Sequence, residues 1–305
     1  MQGTVCTRPT CRGTSSISSR LSMKLRSSIA VIAALPLLLS TTAVFATTTS
    51  LNSGTAGHPL DGTNGDTVLL GQPGAITAGG DQSVGYSAGA ITSIGFQSAL
   101  NPSATTPFSI EFWANPSASD NDDATISNRF PTGNRSGWTF FQRAPGTGWN
   151  FRMYNGVASG LGWDLTGGTS NLNAWSHVVV TWSGSAALMY VNGILADNTN
   201  DPAATGVYNP NVVANAPIFS IGANFDGGSS STALIDEVAY YGSALSLTQI
   251  QNHFSLASSP TAGAYNNQVL ADGAMLHLSN NVPEPASTLF LGLSGLALLR
   301  RRSRV

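Results

Sequence analysis

Lysine occurs once in 305 residues, as Lys24, and glutamate three times, as Glu111, Glu237 and Glu284. The only cysteines, Cys6 and Cys11, both precede Met23. Each scarcity excludes some chemistry. Beyond residue 11 the chain can form no disulfide framework and offers no thiolate nucleophile. Long apolar runs are missing too. Ser287 to Leu299, the apolar stretch before the terminal arginines, would span only about 20 Å as a helix, against roughly 30 Å of hydrocarbon core. Between Thr47 and Asn281 strongly helical stretches are nearly absent, and glycine, serine, threonine and asparagine dominate.

The two ends carry recognisable patterns. From Met23 the chain reads MKLRSSIAVIAALPLLLSTTAVFA, with basic Lys24 and Arg26, an apolar centre from Ile29, and small Val44 and Ala46 before a cut. This is the layout of a secretory signal peptide, so residues 1–46 are expected to be a leader cut by signal peptidase after Ala46. Residues 1–22 have no place in it, which makes Met23 the alternative start. At the other end, NVPEPASTLFLGLSGLALLRRRSRV sets Pro283 and Pro285 around Glu284 and keeps that backbone extended for a processing enzyme. The apolar run follows, and Arg300, Arg301, Arg302 and Arg304 hold its far end on the cytoplasmic side. Val282 to Val305 resemble the PEP-CTERM sorting signal. That resemblance implies processing by an exosortase near Val282, Pro283, Glu284 and Pro285, with only transient membrane contact through the C-terminal helix. It also implies an exported protein of a Gram-negative bacterium, placed in the cell envelope, on the outer surface or in the extracellular matrix.

Charge between the ends is lopsided. All fifteen acidic residues lie between Asp61 and Glu284, where the only basic ones are Arg129, Arg135, Arg143 and Arg152, leaving a net charge of −11. Such a balance disfavours nucleic acid and anionic lipid and is compatible with divalent cations and neutral polysaccharide.

Residues 47–254 read as one all-β domain. Short alternating runs bounded by Gly, Asn and Pro recur: TVLL, FSIEFWA, GWTFFQR, WNFRMY, WSHVVVTW, AALMYV, IFSIGA and LIDEVAYY. In FSIEFWA, Phe108, Ile110 and Phe112 share one face while Ser109, Glu111 and Trp113 share the other, which predicts a strand covered on one side. Asn192 and Gly193 mark a type I′ hairpin turn. One helix is predicted in SLTQIQNHF, capped by Ser246 with Gln249 and burying Leu247, Ile250 and Phe254. FSIEFWANP, WSHVVVTWSGSAALMYVNG and IDEVAYYGSALSLTQIQ, in that order, resemble the laminin-G-like, concanavalin A-like domain of bacterial surface proteins. The resemblance covers about Gly57 to Phe254 and implies a two-sheet jelly-roll sandwich with one short helix. The loops SDNDD and DNTNDPAATGVYNPN depart from it. Residues 255–281 read as a spacer or as a late strand, and 282–305 as the sorting signal.

Glycoside hydrolysis needs two carboxyls about 5 Å apart, or roughly 6.5 to 9.5 Å for inversion. With so few glutamates, and none in the closely spaced acidic series of the glucanase relatives, the protein is expected to be no enzyme. His58, His177, His253 and His277 show no zinc-ligand spacing. Calcium, which takes six to eight oxygens, suits Asp120, Asp122 and Asp123 in one loop, or Asp236 with Asp61 or Asp66; a solvated loop and backbone capping are the alternatives. Trp138, Trp149, Tyr154 and Trp163 cluster around the four arginines and are candidates for sugar stacking, about half of them exposed. The expected work is to bind or scaffold extracellular polysaccharide, or to mediate adhesion. A glycan-active hydrolase and a purely structural coat protein are the alternatives.

Overall fold

A computed structural model describes residues 48–118, 123–130, 133–143, 147–158, 160–211 and 219–280. The leader, Asp120, Asp122 and the sorting signal lie outside the described residues. Sixteen strands are present among those described. The first eight are β1 (Thr49–Ser50), β2 (Gly62–Asn64), β3 (Leu69–Pro73), β4 (Gln82–Tyr86), β5 (Thr92–Ile94), β6 (Phe108–Pro116), β7 (Asp123–Phe130) and β8 (Ser136–Gln142). They are followed by β9 (Trp149–Tyr154), β10 (Leu161–Gly167), β11 (Ser176–Trp182), β12 (Ala187–Val191), β13 (Ile194–Asp197), β14 (Phe219–Ile221), β15 (Ala233–Tyr241) and β16 (Ala274–Leu278). Two short helices, α1 (Leu247–Leu256) and α2 (Ala264–Ala271), stand between β15 and β16.

All ladders between these strands are antiparallel, and they make two sheets. The front sheet has the order β1-β2-β5-β14-β7-β8-β9-β10. The back sheet runs β13-β12-β11-β6-β15-β4-β3, with β16 also paired to β15. The period-two pattern explains the sandwich. Phe108, Ile110 and Phe112 point between the sheets, where the Phe112 ring meets Phe140 at 5.0 Å and Trp149 at 5.8 Å.

The opposite face of β6 is covered as well, which corrects the one-sided expectation. Ser109, Glu111 and Trp113 are all buried. They lie under α1 and α2, whose Ile250, Tyr265 and Val269 form a second core with Trp113, Val179 and Tyr241 of the back sheet. Polar letters on that face therefore mark partnered groups, not solvent.

The predicted cap is present: Ser246 Oγ accepts from Gln249 N, and Gln249 Oε1 accepts from Ser246 N. Ser246→Ala is expected to cost about 1 kcal/mol, read as a lower denaturant midpoint with an unchanged slope. The helix's buried stripe differs from expectation. Ile250 and His253 face inward, while Leu247 and Phe254 are 46% and 37% exposed. His253 is inward because it finds two carboxylate partners there. Asn192 and Gly193 have φ of 53° and 73°, both positive as a type I′ turn requires. In the segment after Phe254, QVLA is helical and AMLHL is β16, paired with Val238–Tyr241 of β15. Its other edge accepts backbone hydrogen bonds from Ser53, Thr55 and Ala56.

Candidate functional site

A bulge in β15 creates the first site. Against β6, Asp236 pairs with Trp113 and Ala239 with Glu111, so Glu237 and Val238 lie opposite the single Phe112. The extra residue breaks the alternation that would send Asp236 and Glu237 to opposite faces. Ile235 and Val238 still enter the core, and both acids turn away from it. Glu237 has φ of 50°, an uncommon conformation for a side chain of this size, costing about 1–3 kcal/mol.

Asp81, at the end of the loop joining β3 to β4, completes the group. One oxygen from each of Asp81, Asp236 and Glu237 lies within 4.8 Å of the others. The loop backbone fixes two of them: Ala75 N donates to Asp236 Oδ2 at 2.9 Å and Ile76 N to Asp81 Oδ2 at 2.8 Å. Glu237 Oε2 is bound by His277 Nε2 at 2.5 Å, and His277 Nδ1 meets Ser53 Oγ at 2.8 Å. Glu237 Oε1 is buried and has no hydrogen-bond partner.

Asp236 and Glu237 are fully buried. Burial, followed by the charges of Glu237 and Asp81, pushes the Asp236 carboxyl well above the usual carboxylate range. Burial also raises Glu237, in spite of the opposing His277. Three acids facing one imidazole need protons or a cation. Their all-oxygen donor set, with one oxygen unpartnered, fits a hard divalent ion such as calcium.

A second buried network lies between β6 and the helices. Glu111 Oε1 accepts from Tyr241 at 2.7 Å and Tyr265 at 3.4 Å, and Oε2 meets His253 Nδ1 at 2.9 Å. His253 Nε2 reaches Asp272 at 2.8 Å, itself held by Gln249 and Gln268. Burial alone would raise Glu111, but His253 and then His177 outweigh it and hold the carboxyl far below its ordinary range. Burial opposes the charged form of His253, and Glu111 and Asp272 override it, so its pKa is raised. His177, 3.5 Å from Glu111 and stacked on Trp113, sits in the sheet interior between β6 and β12 and not near an edge.

The outer face of the front sheet is the third feature. Strand register lines up Thr63, Ser93, Ser220, Ser127, Thr139, Arg152 and Asp164 across seven strands. At 4.7–4.9 Å per strand that row is roughly 29 Å long. Phe141 and Tyr154 share this face and stand outside the core between the sheets. Arginines cover both rings. Arg152 lies 5.3 Å from the Phe141 centroid; Arg129 and Arg135 lie 5.6 and 6.0 Å from that of Tyr154.

These positions revise the expected site residues. Trp138 and Trp149 are fully buried core side chains, so neither offers a plane to a sugar. Tyr154 is 1% exposed beneath its arginines, and half-buried Trp163 packs on Trp182 while its Nε1 donates to Gly206 O. Asp123 opens β7. Asp236 does belong to a carboxylate cluster, but its partners are Asp81 and Glu237. Asp61 instead accepts from Asn52 N at 2.7 Å and meets His58 at 3.1 Å, a local cap. Asp66 is not in the cluster. The adjacent acids in IDEV were the signal for Glu237; Asp81 had none, being 155 positions away in sequence.

Residues 89–251 match the family model described as the Concanavalin A-like lectin/glucanases superfamily. No curated protein matches the chain. Similar solved structures include the binding domain of Paraclostridial Mosquitocidal Protein 1, at 16% identity and a TM-score of 0.46, covering 68% of this chain and 47% of that one. Trypanosoma rangeli sialidase is similar at 12% identity and a TM-score of 0.43, covering 66% of this chain and 30% of the sialidase. Domain 4 of AbnA, a GH43 extracellular arabinanase from Geobacillus stearothermophilus solved with arabinotriose, aligns at 15% identity and a TM-score of 0.47. That match covers 70% of this chain and 99% of the domain. The chain thus spans under half the length of the first two structures. The expectation that the protein is no enzyme is corrected here. The matched superfamily counts glucanases beside lectins, so membership in it does not exclude catalysis.

Proposed function

We propose, for a chain that belongs to the Concanavalin A-like lectin/glucanases superfamily, that it is an exported surface or matrix protein that engages extracellular polysaccharide through the outer face of its front sheet. The observation that carries this reading is the asymmetry of the sandwich. Helices α1 and α2 cover the back sheet, whereas the outer face of the front sheet carries a polar row that is buried at Ser220, Ser127 and Thr139 and partly or fully exposed at Thr63, Ser93, Arg152 and Asp164, with arginine-covered rings beside it. Within the row, Ser127 and Thr139 are buried and bonded to each other at 3.0 Å. Contacts to a ligand therefore fall on the larger side chains around them, Arg129, Arg152 and Asp164.

Calcium at Asp81, Asp236 and Glu237 belongs to the same proposal. The ion would neutralise the three acids and tie the β3–β4 loop to β15, a positioning role distant from the polar row. The signal-peptide-like layout from Met23 to Ala46 and the PEP-CTERM-like tail support export, with signal peptidase and an exosortase as processing partners. The test is affinity electrophoresis of the full-length protein through gels containing the exopolysaccharide of the producing cell. Retardation that grows with polysaccharide concentration is expected. Equal mobility with and without polysaccharide would sink the reading, and release of reducing ends in the same mixtures measures cleavage.

A further inference from the structure

The four basic residues between the chain's ends all fall between positions 129 and 152, and the fold gathers three of them on one face. Arg152 is partly neutralised, since its Nε donates to Asp164 Oδ2 at 3.1 Å. Arg129 and Arg135 differ. Both guanidiniums sit within 6.0 Å of the centre of the same Tyr154 ring. Arg129 donates through Nη1 to Tyr154 Oη at 3.2 Å, and its buried Nε has no hydrogen-bond partner. Among the described residues neither arginine is paired with a carboxylate, although fifteen acids stand against four arginines between Asp61 and Glu284.

Two like charges brought to one ring with no counter-ion among the described residues repel each other, and the ring quadrupole offsets only about 0.5–2 kcal/mol for each. An anion shared between them would relieve the repulsion. Guanidinium forks match carboxylate and sulfate geometry with paired N–H donors, and the Tyr154 hydroxyl holds one fork in place.

We propose that Arg129 and Arg135, set over Tyr154, bind an acidic polysaccharide through the anionic groups on its sugars. This rests on the glycan-engaging reading above and replaces the neutral polymer suggested by net charge. Net charge misleads here because Arg129 and Arg135 have no carboxylate partner among the described residues, so the remaining acids repel an anionic chain only at long range, where salt screens them.

The test is isothermal titration of the full-length protein with polygalacturonate, dextran sulfate and uncharged dextran, in a calcium-chelating buffer so that no cation bridges protein and polymer. Binding to at least one acidic polymer is expected, weakened at least tenfold by R129Q and by R135Q and weakened further as sodium chloride is raised. Which acidic polymer binds identifies carboxylate or sulfate as the group read. R135K, which keeps the charge and loses the fork, should lie between wild type and R135Q. The wild-type salt series stands even if a variant folds poorly. Acidic-polymer binding that ignores both salt and the arginine changes would overturn the inference. So would binding of uncharged dextran alone, which leaves the glycan reading intact. Failure to bind any of the three polymers, together with unretarded mobility in the native exopolysaccharide gels, would overturn both.

Discussion

Calcium added to chelator-treated protein is expected to raise its Tm by roughly 5–10 °C near neutral pH, and by almost nothing near pH 4. A ligand at a hundred times its Kd contributes about 2.7 kcal/mol, and about 2–4 °C follows from each kcal/mol in a domain of this size. The pH dependence comes from Asp236 and Glu237, both raised chiefly by burial. Below their ordinary values near 4, folded and unfolded chains both hold these protons. As pH rises past that point the unfolded carboxyls ionise while the folded ones stay protonated, so metal-free stability falls until the raised folded values are passed. Calcium replaces the protons and removes that loss, so its effect grows with pH. Asp236→Asn should abolish the calcium shift and flatten the metal-free decline. Melting curves at several pH values, with calcium and with chelator, check both; identical curves throughout would dismiss the ion.

Glu111→Gln is expected to cost about 3–5 kcal/mol, the scale of breaking a buried ion pair by removing one partner. The substitution keeps the shape and removes the charge facing His253, leaving a raised imidazole with Asp272 alone and disturbing the acceptor of two tyrosine hydroxyls. Glu111 is lowered, so its contribution is present above the ordinary glutamate value and is lost as pH falls through the folded one. His253 is raised, so its contribution is present below the ordinary histidine value and is lost as pH rises through the folded one. The pair therefore stabilises most between about pH 4.5 and 6.5. Denaturant unfolding across pH should show this window in the wild type and lose it in the variant. Equal stability of the two proteins at pH 5.5 would refute the role given to Glu111.

What could be read from the letters was local. The strand runs that became β6, β8, β9, β11, β12 and β15, the Asn192–Gly193 turn and the Ser246 cap each depend on neighbours a few positions apart. The sites depend on distant pairings. Glu237 joins Asp236 only because one extra residue in β15 breaks the alternation, and the pattern of IDEVAYY does not announce that break. Ser109 and Glu111 looked solvent-facing because polar letters normally are, yet His253 from α1 and Tyr265 from α2 cover that face. The aromatic cluster was visible as a cluster, but the period-two rule alone could not tell which side of the sandwich would receive it. Trp138 and Trp149 went inward, and Tyr154 went outward beneath arginines. The gathering of all four arginines between 129 and 152 was legible, whereas the convergence of two on one ring required β7, the start of β8 and the end of β9 to be placed side by side.

The most direct test of the central claim is hydrogen–deuterium exchange of the full-length protein with and without the producing cell's exopolysaccharide. Added protection is expected across Arg129–Tyr154, on β7, β8 and β9, with unchanged exchange in α1 and α2. Protection confined to the helices, or to the cleft of about 360 Å³ lined by Gly168, Asn192 and Ile194, would place the ligand on another surface and contradict it.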